Sequence, residues 1–328
     1  MEYVILGRTG LRVSVAGLGC GGFSQLGLGK GKSEAEAVAL IHRALDLGVN
    51  LFDTAAAYGT EAVLGKALEA VRREEVVIAT KAPFNVSNPN STAASAVASL
   101  DNSLRQLATD YIDVYQLHGV APAAYDHARN VIAPALLKEK AKGKFRHLGI
   151  SETAPNDPEH KMLQRAAADG VWDVAMVGFH MMHQNARKAV FPLTRQHRVG
   201  TLLMFAVRNI FSRPGQLAAT MQELAAAGEV PRCLAETDNP LGFLIYEGGP
   251  GASSTPPIAS RGTSPVSMSC CSEPAIPSIC AATSPRCSLR HCRKRTAPAS
   301  RTSSATWSGS GWTRRIWRAA PAPDAARI

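Results

Sequence analysis

Cysteine is scarce in this chain, with seven in 328 residues, five of them after residue 250. That number and distribution rule out a disulfide framework for a protein this large. Long apolar runs are absent too. None approaches the roughly 18–20 residues needed to span a bilayer, and no charged-then-apolar segment opens the chain. The expectation is a soluble, cytoplasmic protein with no membrane partner. A G-x-G-x-x-G run opening a helix is also missing, which argues against a Rossmann-type phosphate loop. The glycines of Val15-Ala-Gly-Leu-Gly-Cys-Gly-Gly22 instead end a short apolar stretch. Gly21 and Gly22 there would let the backbone approach a ligand, a cofactor included, or turn sharply.

The first 249 residues also lack a charge excess. They hold 25 Lys+Arg against 24 Asp+Glu, whereas residues 250–328 hold 11 against 2. The formal net charge of +10 therefore belongs to the last quarter of the chain. It gives no reason to expect a nucleic-acid partner for the body. Those 79 residues also carry 10 of the 20 Pro, one Leu, and no Phe or Tyr. Three readings compete for them. One is a disordered basic tail, with Arg290-His-Cys-Arg-Lys-Arg295 as a nucleic-acid-binding variant. Another is a zinc site from Cys270, Cys271, Cys280, Cys287, His291 and Cys292, whose spacings match no standard metal pattern. The favoured one is a reading frame that slipped near residue 249.

The body alternates between two periodicities. Residues 3–14 read as a hairpin around a Gly-containing turn. Short apolar strands then alternate with helices seven times, at intervals of roughly 25–35 residues. The strands end near Asp53, Lys81, His118, Ser151, Phe179 and Phe205. Ser33 with Glu36 forms a capping-box pattern that opens the first helix. Apolar strands alternating with helices imply a parallel sheet with right-handed crossovers. Polar residues at the C-terminal ends of several successive strands favour a (β/α)8 barrel over a doubly wound sheet. Three consecutive strand ends offer Asp53 with Tyr58, then Lys81, then His118. Alone, each has an ordinary reading: a packing Tyr, a solvated Lys, a hydrogen-bonded core His. The remaining histidines fall mostly on helices or loops and read as ordinary; His180, just past a strand end, could line a substrate pocket.

Asn50-Leu-Phe-Asp-Thr-Ala-Ala-Ala-Tyr-Gly59, Asp110-Tyr-Ile-Asp-Val-Tyr-Gln-Leu-His118 and Gly149-Ile-Ser151 fall in the order of the second, fourth and fifth strand motifs of the aldo-keto reductases. Leu6-Gly-Arg-Thr-Gly-Leu-Arg-Val-Ser14 resembles that family's N-terminal hairpin. The resemblance covers about residues 3–249. It implies an α/β (TIM) barrel with an N-terminal β-hairpin, its eighth strand and last helices missing or scrambled. Residues 1–249 would be the barrel, strands one to seven, and 250–328 the tail. It further implies an oxidoreductase that uses NADP(H) to interconvert carbonyls (aldehydes, ketones or sugars) and alcohols. The rival reading is a non-catalytic barrel, either a damaged gene product or a cofactor-sensing module.

The family's catalytic tetrad falls on Asp53, Tyr58, Lys81 and His118. A carbonyl that accepts hydride becomes an alkoxide and needs a proton. Tyr58 would supply it, with Lys81 lowering the phenol's pKa from its reference of about 10. Asp53 would hold Lys81, and His118 would orient the carbonyl oxygen. For the cofactor, Ser151 matches the ligand of the nicotinamide carboxamide, and Phe205 matches the aromatic that stacks on the ring. Glu152 stands where Asn or Arg is usual, Met176 where Gln is usual, and Ala206-Val-Arg208 where Ser-Pro-Leu is usual. A barrel without its eighth strand would leave two unpaired edges. Pro274 and Pro277 argue against Ala275–Ala282 filling the gap as a central strand. The expected consequence is an unstable chain that binds NADP(H) weakly.

Overall fold

The computed structural model describes residues 1–84, 91–154, 156–180, 183–206, 215–237 and 240, and the backbone of 267–271. The rest of the 250–328 tail, and the boundary expected at residue 249, lie outside the described residues. The described residues fall in two compact units. One holds everything up to Ala206 together with 267–271, and the other holds those from 215 to 240.

The first unit opens with strands β1 (Tyr3–Ile5) and β2 (Arg12–Ser14), an antiparallel pair with Val4 opposite Val13. Gly10, left-handed at φ 73°, closes the connecting turn. Seven strands then run parallel to one another: β3 (Ala16–Gly19), β4 (Leu51–Asp53), β5 (Val77–Pro83), β6 (Ile112–Val120), β7 (Phe145–Glu152), β8 (Val174–Gly178) and β9 (Gly200–Met204). Each pairs with the next in chain order. The intervening helices are α1 (Glu34–Asp46), α2 (Glu61–Leu68), α3 (Ala93–Leu107), α4 (Tyr125–His127) leading into α5 (Ala133–Ala141), α6 (Lys161–Ala168), α7 (Ala186–Ala189) and α8 (Phe191–His197). This is the (β/α) barrel architecture expected from the alternation.

Local chemistry sets the helix ends. Ser33 and Glu36 form the reciprocal capping box, and Thr92 with Ser95 does the same for α3. α7 and α8 stay separate, because Pro192 in the first turn of α8 has no N–H to continue a ladder from α7. Asp157, four residues before α6, accepts the N–H groups of Lys161 (3.0 Å) and Met162 (2.9 Å). The helix therefore starts at Lys161.

The barrel interior is filled from the hairpin side. Leu6 and Val13 pack against Leu51, Val77, Ala79, Val114, Val174, Met176 and Leu202. Arg8 donates to Asp173 (3.1 Å), Gly170 O (3.0 Å) and Trp172 O (2.9 Å), fastening the hairpin beneath β8 and β9. One end of the barrel is thus a plugged apolar floor, which leaves the C-terminal strand ends for chemistry.

Closure differs from the sequence expectation. β10 (Ser267–Cys271) enters antiparallel between β3 and β9, with Met268 opposite Leu18 and Cys270 opposite Leu203. Neither edge strand is left unpaired. The segment used is the uncharged stretch between Pro265 and Glu273, which keeps every backbone donor a ladder needs. The second unit, among its described residues, holds α9 (Gln216–Ala226) and a short turn at Arg232–Leu234.

Candidate active site

Asp53, Lys81 and His118 all lie in the C-terminal parts of successive parallel strands, and Tyr58 follows on the turn Ala56–Tyr58. The structure brings the four together. Lys81 is fully buried, and its Nζ donates to Asp53 Oδ1 (2.7 Å), Asp53 Oδ2 (2.8 Å) and the Thr54 carbonyl (2.7 Å). All three ammonium protons therefore have an acceptor. Nζ also stands 5.2 Å from the centre of the Tyr58 ring. Tyr58 OH and His118 Nε2 face each other at 3.4 Å, their rings edge to face. That is a long contact.

Burial divides the four into two pairs. Asp53 and Lys81 are closed to solvent, whereas Tyr58 and His118 are only half-buried.

Electrostatics sharpen this picture and correct one expectation. Burial alone would push the Lys81 ammonium down, but Asp53 prevails and holds it above its ordinary value. Burial pushes the Asp53 carboxyl up, opposed by Lys81 and then by Gln116. With three oxygens around one Nζ, the charged pair is the state the geometry supports. Tyr58 was expected to be lowered by Lys81. Lys81 does pull that way, but burial outweighs it and the phenol is pushed up. Tyr58 therefore keeps its proton at neutral pH. His118 is lowered to about 3, first by burial and then by Lys81, so its imidazole is neutral.

The cofactor positions fare unevenly. Gly21 sits against the Tyr58 ring, and a Cβ on it would lie 2.6 Å from Cδ2. Its lack of a side chain makes room for Tyr58. Gly22, left-handed at φ 72°, faces open space. The buried Ser151 hydroxyl accepts the Gly119 N–H at 2.8 Å and keeps its own proton to donate. Glu152 does not fit a cofactor role. Its buried carboxylate accepts the Gly178 N–H (2.7 Å) and His160 Nδ1 (2.8 Å), so both oxygens are engaged inside the protein. Met176 belongs to the apolar interior. Phe205, half-buried just past β9, adopts a left-handed φ of 70°. That conformation is uncommon outside glycine and recurs at functional sites.

Sequence reasoning missed three contributors. The Thr54 carbonyl and Gln116 complete the surroundings of the Asp53–Lys81 pair. His160 had an ordinary reading and instead forms the buried partner of Glu152. Neither the eight-residue spacing of that pair nor a backbone carbonyl leaves a recognisable motif. His180 is buried, with its backbone bridged to His183. Among the described residues no cluster of His, Cys, Asp or Glu could hold a metal ion.

A parallel barrel of this order, an N-terminal hairpin plug and a Lys–Asp pair beneath a Tyr and a His together define a recognisable class. The Aldo/keto reductase family model matches residues 17–215, and the chain belongs to that family. L-galactose dehydrogenase from Arabidopsis thaliana is 37% identical over 157 residues, covering 46% of this chain and 48% of the relative. Aldo-keto reductase YhdN from Bacillus subtilis (strain 168) is 31% identical over 211 residues, covering 62% of this chain and 61% of the relative. This chain thus spans only about half to three fifths of the length of these curated relatives. Among solved structures, the holo form of an aldo-keto reductase from Bacillus halodurans superposes with a TM-score of 0.51 at 29% identity. That match covers 62% of this chain and 65% of the other.

Proposed function

We propose that this chain is an NADP(H)-dependent oxidoreductase that interconverts carbonyls (aldehydes, ketones or sugars) and alcohols, with Tyr58 as general acid and base. The observation that carries this reading is the pairing of two partly buried groups, Tyr58 OH and His118 Nε2, 3.4 Å apart beside a buried Lys81–Asp53 pair. A carbonyl oxygen placed between them would meet a protonated phenol and a neutral imidazole able to donate or accept. As an alkoxide forms there, the Lys81 ammonium gives the phenolate left behind a nearby positive charge. In the oxidative direction the same phenolate takes the alcohol's proton.

When bound, a nicotinamide cofactor supplies the hydride. Ser151, with a proton left to donate, and Phe205, with a half-buried ring at the end of β9, are the side chains that would hold it. Glu152 is withdrawn from that set. The preference for NADP over NAD rests on family resemblance, and the cytoplasmic setting is carried over from the sequence expectation. Among the described residues no helix is long and apolar enough to cross a membrane. Sugars remain in the substrate class because one relative carries the name L-galactose dehydrogenase.

The test is NADPH oxidation across a panel of aldehydes, ketones and aldoses, with NADP+ reduction by the matching alcohols. A protein that binds NADPH but turns over none of them supports the rival reading of a cofactor-sensing barrel.

A further inference from the structure

The register between β6 and β7 is broken at one place. Leu117 pairs with Ile150 and Val120 pairs with Glu152, so His118 and Gly119 together stand opposite Ser151 alone. This two-against-one count is a β-bulge. Bulges bend a strand and re-aim side chains, and they leave a ladder donor without its usual carbonyl. Gly119 supplies the left-handed backbone the bulge needs, at φ 69°. Its N–H is taken by the Ser151 hydroxyl at 2.8 Å. That contact ties the bulged stretch to its neighbour, just ahead of the Val120–Glu152 pair. The residue before Gly119 is His118, whose Nε2 must stay within reach of Tyr58 OH.

We infer that Ser151 is a positioning residue for His118, acting through the Gly119 N–H to fix the bulge that aims the imidazole. Its consequence for turnover rests on the proposed function, but the positioning itself does not. The Ser151 oxygen spends an acceptor site on Gly119 and keeps its proton. The hydroxyl can therefore bond a cofactor amide without releasing the bulge. With a cofactor bound, Ser151 would serve both its amide and the placement of the imidazole. Its neighbour Glu152 makes the corresponding tie on the other side, to Gly178 on β8, but reaches none of the four reactive residues directly.

A double-mutant cycle separates this role from simple cofactor binding. Kinetics at saturating NADPH are compared for the unsubstituted protein, Ser151→Ala, His118→Ala and the double variant. The expected result is a kcat loss of about 10- to 100-fold for Ser151→Ala, the scale of a misplaced catalytic group. In the His118→Ala background the same change should cost less than about 2-fold. Losses that multiply, or a Ser151→Ala effect confined to NADPH affinity, would overturn the inference. Ser151→Cys keeps the volume but is a poor acceptor, so it should lose kcat as Ala does even where Ala fails to fold. Full activity in the Cys variant also overturns the inference. Because turnover itself is proposed, NMR of histidine-labelled protein supplies an independent arm. Ser151→Ala should move the His118 imidazole resonances and leave those of His42, on α1, in place. An unmoved His118 signal counts against the inference whether or not the protein is an active reductase.

Discussion

Replacing Lys81 with Met is the perturbation for which the structure sets the magnitude best. The side chain is fully buried, and Nζ is held by the two oxygens of Asp53 and the carbonyl of Thr54. Met matches the length of the stem and fills the space, so a cavity is not the main cost. The cost is the Asp53 carboxylate, 5% exposed and left without its counter-ion. Breaking a buried ion pair by removing one partner costs about 3–5 kcal/mol. At roughly 2–4 °C per kcal/mol for a domain of this size, the melting temperature should fall by about 10 °C. The double variant Asp53→Asn/Lys81→Met removes both charges and should recover about half of that loss or more, since a neutral pair carries no ionic desolvation penalty. Activity should be absent from both variants, because neither places an ammonium near Tyr58. Thermal melts followed by circular dichroism, together with urea titrations, give the three stabilities. A single variant as stable as the parent, or a double variant less stable than the single, would refute the buried-pair reasoning.

Other perturbations probe the site from different sides. Gly21→Ala should cut turnover by at least about 10-fold while leaving NADPH binding near normal, because its Cβ meets the Tyr58 ring; a selective loss of NADPH affinity, seen by fluorescence, would return Gly21 to the cofactor. His118 is lowered to about 3, so the unfolded chain binds more protons at this site between about pH 3 and 6.5. Its contribution is complete above about pH 6.5 and is lost as pH falls. For a half-buried ring the loss is about 2–4 kcal/mol, and His118→Gln should flatten the acid side of the stability profile. The same neutrality means that kcat should show no acid limb from His118 between about pH 4 and 8.

Much of this site was legible in the sequence because it lies on regular structure. Asp53, Lys81 and His118 each follow an apolar run short enough to be a buried strand, and parallel strands in a barrel present their C-terminal ends together. The hairpin, the Ser33–Glu36 cap and the strand order follow from local patterns that tertiary packing did not override. What escaped was contact between residues distant in sequence. Glu152 stood beside the expected cofactor ligand, and only the fold shows its carboxylate turned inward to His160 and Gly178. Gly21 sits in a run whose glycines invite a ligand, yet its neighbour is a side chain 37 positions on. The closing strand β10 was hidden because five small or sulfur-containing residues among prolines carry no strand periodicity. Antiparallel insertion between two edges asks only for backbone donors and acceptors. The Tyr58 pKa escaped for a similar reason: a neighbouring charge can be read from a motif, whereas the desolvation that outweighs it cannot.

The central claim is that a phenol above a buried ammonium is the proton donor to a reduced carbonyl. Tyr58→Phe removes one oxygen and leaves the ring that packs on Gly21 and stands over Lys81. NADPH consumption with the best aldehyde of the panel, measured for parent and variant at saturating cofactor, tests the claim most directly. The account predicts a kcat at least about 100-fold lower, the scale of general acid catalysis, with NADPH affinity unchanged. Equal rates for the two proteins would contradict it.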